Sequence, residues 1–133
     1  MRFRALTLLF IAIATSSAAS PLFAHHSVSA EFDGRQRIIL SGTITKVVWL
    51  NPHAFFFVDV KDPKTGEVAN WTCELGSPNM LAALGWTRST LRVGMNVSVT
   101  GIRARDGSRK VNARNIVADG NRIIAWLSET LTR

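Results

Sequence analysis

The chain has 133 residues, one cysteine, and sixteen Lys and Arg against nine Asp and Glu, for a formal net charge of +7. That length holds one domain and little else. A single cysteine excludes an intrachain disulfide framework, so the domain must rest on an apolar core. A basic excess of this size is what a solvated, solubilising face provides, and by itself it demands no anionic partner.

The chain opens with Arg2 and Arg4, an apolar run from Ala5 to Thr15, and a small-residue segment from Ser16 to Ala24. This is the pattern of a secretory signal peptide, and the apolar run is too short to cross a bilayer. Residues 1–24 are expected to be lost on export to the periplasm. Cleavage after Ala24 is favoured over cleavage after Ala19, which would leave a Ser-Pro-Leu-Phe-Ala overhang of no visible use. No second long apolar run follows, so no membrane span is expected after cleavage.

Residues 25–36 carry Phe32 as their one large apolar anchor and read as an extended arm. Residues 37–133 read as the folded domain. Arg37 to Leu50 alternates, with both faces partly apolar, and predicts a long strand bent at Gly42. Asn51-Pro52 breaks it. Ala54 to Lys61 is a second strand, with Ala54, Phe56, Val58 and Val60 facing the core and Phe55, Phe57, Asp59 and Lys61 facing away. Asp62-Pro63-Lys64-Thr65-Gly66 is a turn, and Glu67 to Leu75 a third strand with Ala69, Trp71, Cys73 and Leu75 on one side.

The period then changes. Ser77-Pro78 caps and starts a short helix carrying Met80, Leu81 and Leu84 on one face, and Gly85 ends it. Asn96 to Arg103 and Lys110 to Ala118 are a fourth and a fifth strand about the Asp106-Gly107-Ser108 turn. The tail fits a short strand at 122–127. Three strands, a helix and two strands, β-β-β-α-β-β, is the order of the five-stranded Greek-key OB-fold barrel: all-β with one short helix.

Several motifs stand in order along the chain: His25-His26-Ser27 with Phe32-Asp33; Gly42-Thr43-Ile44 leading to Trp49-Leu50-Asn51-Pro52-His53; Trp71 and Glu74; Gly85-Trp86; Gly94 to Gly101; and Asp106-Gly107-Ser108. With these the chain resembles, almost end to end, a family of small exported proteobacterial proteins of unknown function. Members usually carry Gly-Asp where this chain has Gly94-Met95. The resemblance implies a periplasmic location and an OB-like barrel, and no reaction.

Chemistry concentrates at the corner from Trp49 to Phe57. Aromatic residues beside cations are how OB barrels hold rings, so Trp49, Asn51, His53, Phe55, Phe57 and Trp71 are the candidate ligand-binding residues. The expected function is a periplasmic binding module for a small ligand or an envelope partner protein. Nucleic acid is not an expected partner, because an exported protein rarely meets it. The alternative is a copper-type metal site from His25, His26 and His53, completed by Glu31, Asp33 or Asp59. Cleavage after Ala24 would give His25 a free amine for chelation. Glu74 and Asp59 are candidate cross-strand partners of His53. No nucleophile elbow, HExxH or paired-cysteine motif is present, so no catalytic residue is expected.

Overall fold

Two short helices and six strands occupy residues 27–125, the part of the chain that the computed structural model describes. They are α1 (Ser27–Glu31), β1 (Phe32–Val48), β2 (Phe55–Lys61), β3 (Val68–Glu74), α2 (Pro78–Ala83), β4 (Asn96–Ala104), β5 (Lys110–Ala118) and β6 (Asn121–Ile124). β1 pairs antiparallel with both β2 and β4, β2 with β3, and β4 with β5. A short parallel seam, Thr72↔Lys110 to Glu74↔Asn112, joins β3 to β5 and closes the barrel. This is the OB-like Greek-key barrel that the element order predicts, mostly β with short helices.

Expectations at the two ends of the described chain change. The strand expected at 122–127 is β6, four residues long, which pairs with β5 at Asn115–Ala118 as a sixth strand added to the barrel sheet; residues 126 and 127 lie outside the described residues. The stretch expected as an extended arm is built into the fold over its described part. Ser27–Glu31 forms a helical turn, and Phe32 opens β1 opposite Ala104 with only 1% of its surface exposed. Burial of that ring supplies the free energy that a polar arm lacks.

β1 serves two sheets by changing its inward face. Leu40 and Ile44 point into the core, but a register shift between Ile44 and Lys46 turns Val47 and Trp49 inward beyond it and Lys46 outward. The bulge therefore lies at Thr45 and not at Gly42, where the sequence predicts it. Gly42 has a different task, because a Cβ there would stand 2.0 Å from the Asp59 carbonyl oxygen. β5 uses the same device. Its pairing with β4 shifts between Thr100 and Gly101, so Val111 and Ala113 face inward before the shift and Ile116 and Ala118 after it.

Phe56, Val58, Cys73, Val99, Val111 and Ile116 fill the barrel, and Leu81 of α2 enters the same core. α2 follows its sequence signals. Ser77 Oγ accepts from the Met80 N–H at 3.2 Å, Pro78 starts the helix, and Gly85 ends it at φ +85°. Among the described residues no helix is long and apolar enough to cross a membrane.

Candidate functional site

The corner leaves β1 at Trp49, passes an exposed Asn51 and Pro52 joined by a cis peptide bond, and is pinned again at Ala54. The Ala54 N–H donates to the Gly76 carbonyl at 3.0 Å, and the Ala54 carbonyl accepts from Leu75 at 2.9 Å. Those two bonds fix the backbone next to His53 against the end of β3. His53 Nδ1 then lies 3.1 Å from Glu74 Oε1. With Nδ1 directed at the carboxylate, Nε2 is the ring nitrogen left for another partner, and His53 is partly exposed.

Glu74 is 2% exposed, a place where a lone carboxylate would be costly. Its other oxygen takes Lys110 Nζ at 2.9 Å, and the same ammonium binds Glu31 Oε1. Desolvation works against the charge on Lys110, but the hydrogen bonds and negative charge of Glu31 and Glu74 outweigh it and hold its pKa above the ordinary lysine range. The result is a continuous polar relay from His53 through Glu74 and Lys110 to Glu31.

The registers place this relay on the outer face of the barrel. One row across the sheet reads Val48, Phe55, Glu74, Asn112 and Ile102; the next reads Lys46, Phe57, Thr72 and Lys110. Phe55 and Phe57 are half-buried, and each ring has an ammonium above it. Lys110 Nζ stands 5.7 Å from the Phe55 centroid and Lys46 Nζ 5.6 Å from that of Phe57. Beside Glu74, Asn112 is fully buried with neither its Nδ2 nor its Oδ1 hydrogen-bonded. Beyond Phe57, Asp59 accepts from Asn70 Nδ2 at 2.7 Å, and the carboxylate that His53 contacts is that of Glu74.

Of the six expected ligand residues, the structure gathers His53, Phe55 and Phe57. Trp49 and Trp71 do not join them. Both pack against the barrel core, Trp49 because the bulge turns it inward, and Trp71 because it is the register partner of the core residue Val58. Arg103, 5.5 Å from the Trp71 ring, covers it instead of a ligand. Asn51 stays at the exposed turn. Of the expected metal ligands, His25 and His26 lie outside the described residues. Glu31 is bound to Lys110, and Asp33 accepts from the Arg35 N–H and from Gln36. Among the described residues no group of three or more His, Cys, Asp or Glu is gathered to hold a metal ion.

Lys46, Lys110 and Asn112 are the members of the site that sequence reasoning missed, although Lys46 stands in the alternating run that predicts β1. Asn112 had no distinguishing signal, since a polar residue between Val111 and Ala113 is ordinary alternation in a strand that also carries Arg114 and Asn115. Lys110 had none either, because only the parallel seam brings it to Glu74.

No curated protein matches the chain. Among solved structures, the mitochondrial single-stranded DNA-binding protein Rim1 of S. cerevisiae shares the fold, with a TM-score of 0.50 and 13% sequence identity over 68% of this chain and 98% of that one. This corrects the expected partner set, a small ligand or envelope protein with nucleic acid left out: a protein of this fold is named for binding single-stranded DNA, so the exclusion does not stand. A family model matches residues 12–113, and the chain belongs to that family, the family of unknown function DUF6152.

Proposed function

We propose that this chain is a binding module that takes its ligand on the outer face of β2 and β3, at the corner carrying His53, Phe55 and Phe57. The location proposed with it is the periplasm, on the strength of the export pattern in residues 1–24. One observation carries the reading: two half-buried rings on one exposed face, each under a lysine ammonium, beside a histidine that a buried carboxylate orients. Core packing has no use for such an arrangement, since Phe56 and Val58 already fill the barrel side of β2.

The chemistry that fits is a flat ring bearing an anionic group. The ring stacks on Phe55 or Phe57, the anion meets Lys46 or Lys110, and His53 Nε2 accepts a hydrogen bond from the ligand. Phe55 and Phe57 are two residues apart on one strand, about 7 Å. A small ring-bearing anion would use one such pair. A single-stranded nucleic acid, which repeats ring and phosphate, would use both.

Titrating isotope-labelled protein with thymidine monophosphate and with a short oligothymidylate tests the proposal and separates the two sources. Expected are NMR shift changes at residues 53–57, 72–74 and 110–112, and at least about a tenfold loss of affinity in Phe57→Ala, the equivalent of one lost stacking contact. Shift changes confined to the opposite side, around Ile39 and Ser41, or unchanged affinity in Phe57→Ala, would overturn it.

A copper-type metal site is the second reading. The feature favouring it is the His53–Glu74 contact, since a ligating histidine commonly gives its other N–H to a carboxylate. His25 and His26 would supply further nitrogen ligands. Calorimetric titration of the mature chain with Cu(II) decides it: equal uptake by a His25→Ala, His53→Ala double variant ends this reading.

A further inference from the structure

The relay on the outer face is already occupied at one end, and the occupant is the chain itself. α1 and the residue after it lie against the β4–β5 hairpin through three contacts. The Arg105 N–H donates to the Glu31 carbonyl at 2.9 Å, Arg105 Nε donates to the Ser29 carbonyl at 2.9 Å, and the Glu31 carboxylate binds Lys110 Nζ. Phe32 follows. Its ring centroid is 5.4 Å from the same ammonium, and it is fully buried although it is not part of the barrel core. Its register partner Ala104 is two residues along β4 from Ile102, the partner of Asn112. Glu31 and Phe32 thus present an anion and a flat ring to Lys110, the same two groups that the proposed ligand would bring.

Packing at this end is also incomplete. Asn112 is buried with its amide donor and acceptor both unpaired, and leaving such a group unsatisfied costs free energy that a ligand able to pair with it would recover. The hold on Ser27–Glu31 is by contrast polar and exposed, with Glu31 and Arg105 both at the surface, while the buried Phe32 stays as the anchor at the start of β1. Contacts of that kind are weak.

We infer that Ser27–Glu31, hinged at the buried Phe32, is a displaceable lid that competes with the ligand for Lys110 and the Asn112 end of the face. This inference rests on the binding face proposed above. The lid lowers apparent affinity by the fraction of molecules in which it is closed, and loosening it raises affinity in proportion.

Arg105→Gln is the discriminating variant. It removes a positive charge, which by electrostatics alone should weaken binding of an anionic probe, and it removes a tether of the lid, which should tighten binding. Glu31→Gln removes the competing carboxylate. Both side chains are exposed and outside the core, so both variants keep the barrel.

With a labelled oligothymidylate followed by fluorescence anisotropy, both variants are expected to bind about five- to tenfold tighter than the natural chain. Amides of residues 29–31 should lose hydrogen-exchange protection when the natural chain binds the probe. An acidic–aromatic peptide, Ser-Val-Ser-Ala-Glu-Phe, should compete with the probe in the variants.

Weaker binding by Arg105→Gln, with shifts still at Phe55 and Phe57, would overturn the lid and leave the face standing. So would lid amides that stay protected in the bound state. Failure of both variants to bind any probe, with lid opening verified by exchange at residues 29–31, would remove the face reading and the lid with it.

Discussion

Glu74 lies between Cys73 and Leu75, and all three are buried. A charged carboxylate in that position costs several kcal/mol unless partners replace its water, and here His53 and Lys110 do so. Removing one partner is therefore worse than removing the charge. Lys110→Met is expected to lower stability by roughly 1–3 kcal/mol at pH 7, and adding Glu74→Leu should recover much of that loss in urea titrations. The pH dependence has a definite sign. The folded-state pKa of Lys110 is raised, so its contribution is complete below the ordinary value of 10.5 and disappears as pH climbs through the folded value. The Lys110→Met penalty should stay constant from pH 7 to pH 9 and shrink above 10.5. A penalty that grows with alkalinity would mean that the Glu31 and Glu74 contacts do not set the charge of Lys110. His53 and Glu74 were visible as potential partners from sequence, since both sit at the ends of neighbouring strands. Which oxygen or nitrogen they use was not, because that depends on where the backbone is pinned at Ala54.

At the level of the elements, alternation in the sequence predicts β2 to β5 to within one or two residues, and the cap and stop signals predict α2, whereas β1 starts at Phe32, five residues before the Arg37 that alternation indicates. What alternation cannot reveal is where a long strand changes its inward face, because β1 is partly apolar on both sides. Gly42 is the visible irregularity, and it attracts the bulge that belongs to Thr45. The structure gives that glycine a packing role instead, with Asp59 backbone where its side chain would be. Gly42→Ala should accordingly cost about 3 kcal/mol, since neither backbone can yield without breaking the β1–β2 ladder. Gly34, with nothing within 4 Å of an added Cβ, is the control, and Gly34→Ala should change stability by less than about 0.5 kcal/mol. Equal urea midpoints for the two variants would show that β1 is free to shift away from Asp59. The same blindness explains the tryptophans. Trp49 and Trp71 look like ligand-face residues in the sequence, where aromatic residues near a corner look alike, while a one-residue shift and a register decide which side of the sheet each one takes.

At the scale of the whole molecule, the order of elements was enough to foresee closure, but the closure itself rests on a seam of three residue pairs between β3 and β5. Cys73 sits in the middle of it, opposite Val111, and also belongs to the barrel core. Desolvation pushes its thiol up to about 12, so it is protonated and unreactive in the folded state. It thereby becomes a reporter of barrel opening. To reach it, a reagent needs the seam parted and the core around Phe56 and Val58 separated, and a short seam backed by a shared core has no way to do the first without the second. Labelling of Cys73 at pH 8 by a disulfide reagent should therefore proceed only through global unfolding. The free energy of opening obtained from the labelling rate should fall with urea along the same slope as the equilibrium unfolding curve. A markedly shallower slope would mean that β3 and β5 part locally while the rest of the barrel holds. The seam would then be a gate beside the Lys110–Glu74 contact and not a structural closure.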